Sequence, residues 1–288
     1  MGIVRLSQLR ILLAVAEHGG FTAAAEQTGK SQPTMSRSIA ALEADLGAVL
    51  LVRRRDGVAL TEAGQQAVTR AREAIRHFDL IRPGVAAAAG QVRGPLRLAS
   101  LPSATGTLIA ARLRTFSDRY PQVGVRLLEG YSPEIRGWLQ NGAAEIGVVI
   151  LPEPGMHTVP LGTDTMVALL PRGHALAARE TVPVQALARE PFILTTGECR
   201  PVILDGVRRA GATLDVAYEA GELSAIIAMV EAGLGVTIVP ALGLPAHLGS
   251  AVARPLNVSI ARNLALAVPS LDDCTPAARA FLEHALVP

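Results

Sequence analysis

The sequence predicts an α/β protein in which a small helical module, residues 1–62, precedes a larger two-lobed module, residues 95–288. Three observations support this. The 288 residues exceed the length of one average domain. Residues 1–93 carry 12 Lys and Arg against 8 Asp and Glu, whereas residues 94–288 carry 15 against 17. Helical periodicity in the first third gives way, after residue 94, to short apolar strands alternating with helices.

The composition excludes several classes of protein. Half of the residues are hydrophobic and 18% are charged, which supports a buried core and excludes disorder along the whole chain. The longest uncharged apolar stretch, residues 232–246, is too short to span a bilayer and contains two prolines. The first residues lack the apolar segment of a secretory signal. We therefore expect a cytoplasmic protein with no membrane partner.

The first module begins with two helices. Apolar residues recur at spacings of three and four, which predicts one buried face of a first helix: Leu6, Leu9, Leu13 and Ala16. The pair Gly19-Gly20 should end this helix. A second helix is predicted over residues 23–28, with Thr22 as its N-cap.

A third helix should follow, with Ser31 as its N-cap. Its buried face is predicted from the apolar spacing of Met35, Ile39, Leu42 and Leu46. At about 100° per residue, the opposite face consists of Pro33, Ser36, Arg37 and Ala40. That outward face is small, polar and basic, and could enter a DNA groove.

A basic hairpin and a long helix complete the front of the chain. Arg53-Arg54-Arg55 precedes Asp56-Gly57, a hairpin-turn signal that predicts a two-stranded wing. Thr61 should cap the next helix. A heptad spacing there predicts dimerisation through Ala67, Ala71, Ala74, Phe78 and Ile81, continued by Val85. Because Pro83 costs about 3 kcal/mol in a helix interior, this linker helix should kink or end near Arg82. Residues 86–94 should form a hinge, so that linker and hinge span residues 63–94.

The larger module reads as two α/β lobes around a cleft, with lobe I at about 95–163 and 266–288 and lobe II at about 164–265. Predicted strands lie at residues 96–100, 123–129, 145–151, 166–170, 192–195, 214–218, 235–239 and 262–268. Predicted helices lie at residues 105–119, 133–141, 201–210, 222–232 and 275–286.

The third helix and the wing carry side chains suited to double-stranded DNA. Gln32 can pair with adenine, Arg37 with guanine, and Pro33 can contact a thymine methyl group. Hydroxyls and helix N-terminal amides can bind phosphate, and wing arginines can enter a minor groove. The predicted DNA-binding set is Ser31, Gln32, Pro33, Thr34, Ser36, Arg37, Arg53 and Arg54. The alternative is an ordinary solvated face of a small helical bundle.

Hydroxyl-rich loops that follow predicted strands suggest a ligand site in the larger module. A helix start with free amides and hydroxyls favours an anion, commonly a carboxylate. The predicted effector-binding set is Ser100, Ser103, Thr105, Tyr131, Thr195, Thr196 and Cys199. The alternative for the hydroxyls is plain helix capping. Arg200 could pair with an acidic ligand, or with Glu198 at the surface.

Metal, cofactor and enzyme chemistry find little support. Cys199 and Cys274 are the only cysteines, and the six histidines are scattered, so we expect neither a metal site nor a cofactor. The chain has no phosphate-binding GxxxxGK[ST] loop and no GxSxG motif, and the glycine pair at 233 and 235 lacks the third glycine of a dinucleotide fingerprint. We expect a protein that is not an enzyme.

The front of the chain resembles the winged helix-turn-helix of the LysR-type transcriptional regulators. The matching residues, in order, are Leu9-Arg10, Ala16-Glu17, Gly19-Gly20-Phe21-Thr22, Ala24-Ala25, Ser31-Gln32-Pro33, Ser36, Ile39, Leu42-Glu43, Leu46-Gly47, Arg53 and Thr61-Glu62-Ala63-Gly64. Looser matches at Phe116, Tyr120-Pro121, Gly173-His174 and residues 231–236 extend the resemblance over nearly the whole chain.

The resemblance implies a ligand-responsive regulator with an effector domain like type 2 periplasmic binding proteins. It implies a homotetramer built as a dimer of dimers, RNA polymerase as a partner of an activator, and an effector carboxylate held near Ser103. One branch of the family senses peroxide through a cysteine in a stretch like that around Cys199, whose thiol pKa Arg200 could lower. In this chain the ninth residue after Cys199 is Arg208, where a second, resolving cysteine would be needed. The alternatives are thiol-based redox sensing through Cys199 and a small-molecule-binding protein without a specific DNA target.

Overall fold

The computed structural model describes residues 3–54, 57–89 and 91–286, without the side chains of residues 53 and 87. The chain divides into two compact units, residues 1–89 and residues 90–288. No helix among the described residues is long and apolar enough to cross a membrane.

The first unit is a helical bundle with a wing. Its helices are α1 (Leu6–Glu17), α2 (Phe21–Thr28), α3 (Gln32–Leu46) and α4 (Glu62–Ala88), and its strands are β1 (Leu51–Arg54) and β2 (Gly57–Leu60). The strands pair antiparallel from Leu51 opposite Leu60 to Arg54 opposite Gly57. Gly57, predicted to lie in the hairpin turn, is the first residue of β2. The predicted turn residue Asp56 lies outside the described part of the chain, as does residue 55.

The predicted apolar face of α1 is wrong in its rotation. Ile11, Leu12 and Val15 are the deeply buried residues, whereas the predicted set, Leu6, Leu9, Leu13 and Ala16, is only half-buried. The reason is that α1 is covered on two sides, by α2 and α3 and by α4. Two ion pairs join α1 to α4: the exposed pair of Arg10 with Asp79 at 2.8 Å, and Glu17 with the half-buried Arg72 at 3.7 Å.

Two predicted caps also change. Helix α2 begins at Phe21 with Gly20 as N-cap, so Thr22 lies inside the helix. Ser31 does occupy the N-cap position of α3 without capping a backbone amide, because its hydroxyl bonds the Thr34 hydroxyl at 2.7 Å. Leu46, predicted to be buried, is 46% exposed, since α3 ends there before the left-handed Gly47.

Helix α4 does not end near Arg82. It continues through Pro83 to Ala88, so the predicted hinge at residues 86–94 overlaps the last three residues of the helix. A proline removes one backbone hydrogen bond and crowds one turn, while the hydrogen bonds of the other turns remain. Of the predicted dimerisation residues, Ala71 is buried and Ala67 half-buried within the unit, while Ala74, Phe78 and Ile81 are exposed.

The second unit is built on one mixed sheet with order β10-β6-β11-β5-β3-β4, to which β9 adds by pairing with β6. Its strands are β3 (Gly94–Ser100), β4 (Val123–Glu129), β5 (Ile146–Ile150), β6 (His157–Pro171), β7 (Phe192–Thr195), β8 (Val216–Ala220), β9 (Thr237–Pro240), β10 (Ala251–Pro255) and β11 (Ala261–Val268). Strands β7 and β8 form a separate parallel pair. The long β6 joins the two lobes, because its first part pairs with β11 and its last part with β9 and β10.

Helices cover both lobes. They are α5 (Pro102–Ala104), a π-helical turn (Thr105–Ile109), α6 (Ala110–Arg119), α7 (Ser132–Asn141), α8 (Val184–Leu187), α9 (Cys199–Arg209), α10 (Leu223–Glu231) and α11 (Pro276–Ala285), with 3₁₀ turns at Ala175–Ala178 and Ala241–Gly243. The two-lobed α/β fold is as predicted. Strand β10 and the first nine residues of β6 were missed, because residues 157–165 contain proline, glycine and polar side chains and do not read as a strand by themselves.

Candidate functional site

The exposed face of α3 is the candidate DNA-binding surface. Met35, Ile39 and Leu42 are buried in the core of the first unit, and their burial turns the opposite face of the helix to solvent. The predicted DNA-binding residues at 31–34 and 37 are exposed, and Ser36 is half-exposed. Arg37 Nε reaches the Pro33 carbonyl at a long 3.4 Å, a contact weak enough to be exchanged for a base.

Residues behind this surface hold the wing against α3. Glu43 Oε1 accepts from the backbone amides of Leu50 and Leu51 at 2.7 and 3.1 Å. Thr61 caps α4 as predicted, since its hydroxyl accepts from Gly64 N at 2.9 Å. A Cβ at residue 64 would overlap the Leu50 carbonyl oxygen, so glycine is needed there. Arg54 is exposed at the end of β1, whereas the side chain of Arg53 lies outside the described part.

The second unit contains a cavity of about 390 Å³ between its lobes, within the usual size range of small-molecule sites. Its apolar wall comes mainly from α10 and β9 and their flanks: Leu223, Ile226, Ile227, Ile238, Val239 and Pro240. Its polar wall comes from both lobes and from β11: Ser103, Tyr131, Thr195, Glu198, Cys199, Glu222, Ser224 and Arg262.

Four of the seven predicted effector residues line the cavity, namely Ser103, Tyr131, Thr195 and Cys199. The other three, Ser100, Thr105 and Thr196, do not. The hydroxyls of Ser100 and Thr105 both donate to the Leu101 carbonyl at 3.2 Å, so they bond locally but do not cap a helix, since neither accepts from a backbone amide of the helix start. Thr196 is exposed, and its backbone amide bonds Ala220.

A buried ion pair that the sequence did not reveal includes Arg262 of the cavity wall. Arg262 and Asp164 have side chains only 3% and 0% exposed. Asp164 Oδ2 accepts from Arg262 Nε at 3.0 Å and from Nη2 at 2.8 Å, and Asp164 Oδ1 accepts from Leu242 N at 3.0 Å. The two residues face each other directly across β11 and β6.

Arg262 also organises two of the predicted site residues. Its Nη2 donates to Ser103 Oγ at 2.7 Å, and its Nη1 to Cys199 Sγ at 3.4 Å. In the sequence, Arg262 stood out only as a charged residue at the start of the predicted apolar strand 262–268. That position does not indicate which residue it pairs with.

Burial raises the pKa of the Cys199 thiol. Arg262 lowers that pKa, but Asp164 and Glu198 oppose this effect. Arg200, expected beside the thiol, instead pairs with Glu219 at 2.7 Å. Neither cysteine forms a disulfide.

Two glutamates of one lobe accept hydrogen bonds from residues of the other lobe across the cleft. Glu198, beside α9, accepts a hydrogen bond from Ser132 N at the start of α7. Burial raises the pKa of Glu198 in spite of this bond and of the nearby Arg262 and Arg136, and Glu134 raises it further. Tyr131 donates its hydroxyl to Glu222 Oε1 at 3.3 Å. Burial, followed by the charge of Glu222, raises the pKa of that phenol.

Each of the two units matches a known protein family model. Residues 6–65 match the family model described as "Bacterial regulatory helix-turn-helix protein, lysR family". Residues 89–286 match the model described as "LysR substrate binding domain". The chain belongs to the LysR family of transcriptional regulators. It is a DNA-binding regulator with a C-terminal effector-binding domain, as the sequence resemblance implied.

The relatives agree with this assignment. The chain is 31% identical to the uncharacterized HTH-type transcriptional regulator YvbU of Bacillus subtilis, over 97% of each protein. It is 32% identical to a probable hydrogen peroxide-inducible genes activator of Mycobacterium leprae, covering 83% of this chain and 79% of that one. Full-length OxyR of Pseudomonas aeruginosa has the same fold, with a TM-score of 0.78 at 24% identity and coverage of 99% and 98%.

Within the described residues, no group of three or more His, Cys, Asp and Glu side chains is arranged to hold a metal ion.

Proposed function

We propose that this regulator reads a twofold-symmetric DNA site as a dimer, with α3 in the major groove and the wing on the adjacent backbone, under the control of a small molecule in the cavity. The observation that carries the proposal is the exposed N-terminal face of α3. Gln32, Pro33 and Arg37 are exposed there, on a helix whose other face is anchored in the core. Such a face can present a bidentate amide, an apolar contact and a guanidinium to base edges.

The proposal of a dimer rests on α4. In its second half, the helix exposes an apolar row at heptad spacing, with Phe78, Ile81 and Val85 exposed by 47%, 57% and 69%. A second copy of α4 would remove this row from water. Pairing of two dimers into a tetramer, and contact of an activating form with RNA polymerase, follow from the family's mode of action. We assign the protein to the cytoplasm, because the DNA that it would bind lies in that compartment.

Control by an effector rests on the position of the cavity. Ser103 and Tyr131 line it from one lobe, Glu198 and Glu222 from the other, and β6 and β11 run between the lobes. A ligand that binds one arrangement of the lobes better than another shifts their equilibrium. The resulting change in the angle between the DNA-binding pairs of the tetramer would alter DNA binding or bending.

Thiol-based redox sensing through Cys199 is the second candidate, favoured by the contact of Arg262 Nη1 with the sulfur. The pKa raised by burial reduces the thiolate available to react with peroxide. Arg208, nine residues on, is ion-paired with Asp205 and offers no resolving thiol. We therefore assign Cys199 to the lining of the effector cavity.

The test is to incubate the purified protein with sheared genomic DNA of its source at moderate salt and to sequence the retained fragments. We expect an enriched site with twofold symmetry. The control is the double variant Gln32→Ala, Arg37→Ala, whose changes are both at exposed positions, and which should lose the enrichment while remaining folded. Retention without sequence preference by folded wild-type protein would refute specific recognition and leave a small-molecule-binding protein.

A further inference from the structure

The lining of the cavity contains more acidic than basic side chains. Glu198 and Glu222 line it as acids, and Arg262 is the one basic side chain in the lining among the described residues. Arg262 is already neutralised by the buried Asp164, through two hydrogen bonds of 2.8 and 3.0 Å. The lining therefore holds two carboxyl groups and no cation beyond Arg262, whose charge, together with that of Arg136, only partly offsets the burial of Glu198.

The amides at the start of α7, which could otherwise bind an anion, are engaged. Ser132 N, at the start of the ten-residue helix α7, donates to Glu198, and Tyr131 N donates to Glu134 at 2.9 Å. Carboxylates of the protein thus occupy the helix start where an anionic ligand would bind. The hydroxyl oxygen of Ser103 accepts from Arg262. A ligand carboxylate entering here would meet two like charges in a partly desolvated space.

The rest of the wall suits an apolar body. Leu223, Ile226, Ile227 and Val239 line one side, and Tyr131, 38% exposed, offers an aromatic ring beside Glu222. An aromatic ring next to a carboxylate is a favourable surrounding for a cation. The chemistry of the wall therefore matches a positive group at the acidic end and hydrocarbon along the remainder.

We propose that the cavity takes a cationic effector, an ammonium or guanidinium group on an apolar body, held between Glu198 and Glu222. This assignment rests on the proposed effector function of the cavity and replaces the carboxylate that the hydroxyl-rich loop suggested. The raised pKa of Glu198 agrees with it, since burial there is only partly offset by the protein's own partners. A ligand cation would supply the missing counter-charge and keep Glu198 ionised.

The test compares ligands that differ only in their polar end. The probes are hexylamine and 2-phenylethylamine, the alcohols hexan-1-ol and 2-phenylethanol, and the carboxylates hexanoate and phenylacetate. Binding to the full-length protein is measured by thermal shift and titration calorimetry at pH 7.5. We expect the amines to raise the melting temperature and the carboxylates to leave it unchanged. Removing both carboxylates with Glu198→Gln and Glu222→Gln should weaken amine binding about tenfold or more, the range of a charge-assisted contact, with alcohol binding unchanged.

The single variant Glu222→Gln, at an exposed position, guards against misfolding of the double variant and should show a smaller loss in the same direction. The matched control is Glu180→Gln, also exposed and outside the cavity lining, which should bind the amines as the wild type does. Preferential binding of the carboxylates, no binding of either amine, or full amine binding by the double variant would each overturn the proposal.

Site-specific DNA binding is measured on the same preparations. Intact DNA recognition without amine binding would overturn the cationic class alone. Amine binding by a protein that has no preferred DNA sequence would refute the proposed regulatory function and leave the ligand class standing.

Discussion

Replacing Asp164 with asparagine should lower the free energy of unfolding of the C-terminal unit by about 3–5 kcal/mol, the cost of removing one partner of a buried ion pair. Both side chains of the pair are almost fully buried. Asparagine keeps the shape and can still accept from Leu242 N through its oxygen. Its amide group, however, would place a donor against the donors of Arg262, and the guanidinium would stay buried without a counter-charge.

This loss is large against a typical domain stability of about 5–15 kcal/mol. For a unit of about 200 residues it corresponds to a fall in melting temperature of about 6–20 °C. The assay is urea unfolding followed by tryptophan fluorescence. The only tryptophan of the chain is Trp138, on α7, so its signal reports on the C-terminal unit.

Two variants make the reasoning refutable. Asp164→Asn combined with Arg262→Met removes the stranded charge and should recover most of the lost stability. Asp205→Asn breaks the solvent-exposed pairs with Arg208 and Arg209 and should cost less than about 1 kcal/mol. If Asp164→Asn costs no more than this surface change, or if the second substitution recovers nothing, the pair does not hold the two strands in the way described.

Four further outcomes are expected. Arg37→Ala should cost about 1–3 kcal/mol of DNA binding and relax specificity at one base pair in fluorescence anisotropy over base-substituted sites; equal weakening on every sequence would assign it to phosphate instead. Phe78→Glu should dissociate the dimer in sedimentation velocity, whereas Thr69→Glu, on the opposite side of α4 at about 100° per residue, should not; a stable Phe78→Glu dimer would remove α4 as the interface. Amine affinity should rise as the pH passes the raised pKa of Glu198, because the cation binds the ionised carboxylate. In Glu198→Gln this rise in affinity should vanish, and its persistence would assign the pH dependence to another group. Cys199 should be alkylated by iodoacetamide more slowly than glutathione at pH 7, because burial raises its pKa, and faster labelling would reopen redox sensing.

Much of the first unit could be predicted from the sequence because short-range patterns determine it. The spacing of Met35, Ile39 and Leu42 placed the core face of α3 and thereby the exposed face opposite. The hairpin signal after Arg54 predicted the two-stranded wing, which β1 and β2 form. The same kind of pattern misplaced the face of α1, because that helix is covered from two sides and a periodicity cannot say which side is deeper.

The candidate effector site depends on long-range contacts that short-range sequence patterns do not predict. Hydroxyls after strands pointed to Ser103, Thr195 and their neighbours, and several of them do line the cavity. Nothing local indicated that Asp164 would face Arg262 from 98 residues away, since that depends on the register of β6 against β11. Nor could the sequence show that Glu198 would reach across the cleft to Ser132.

By itself, the sequence determined the family, the helix-turn-helix with its wing, the long helix α4 and the succession of strands and helices in two lobes. These depend on residues close together along the chain, whose spacing, capping and turn chemistry act locally. The tertiary structure alone decided the charge of the cavity. Strand pairing neutralises Arg262 with Asp164, and lobe packing brings two glutamates to the wall, so long-range contacts determine which ligand charge the cavity can accept.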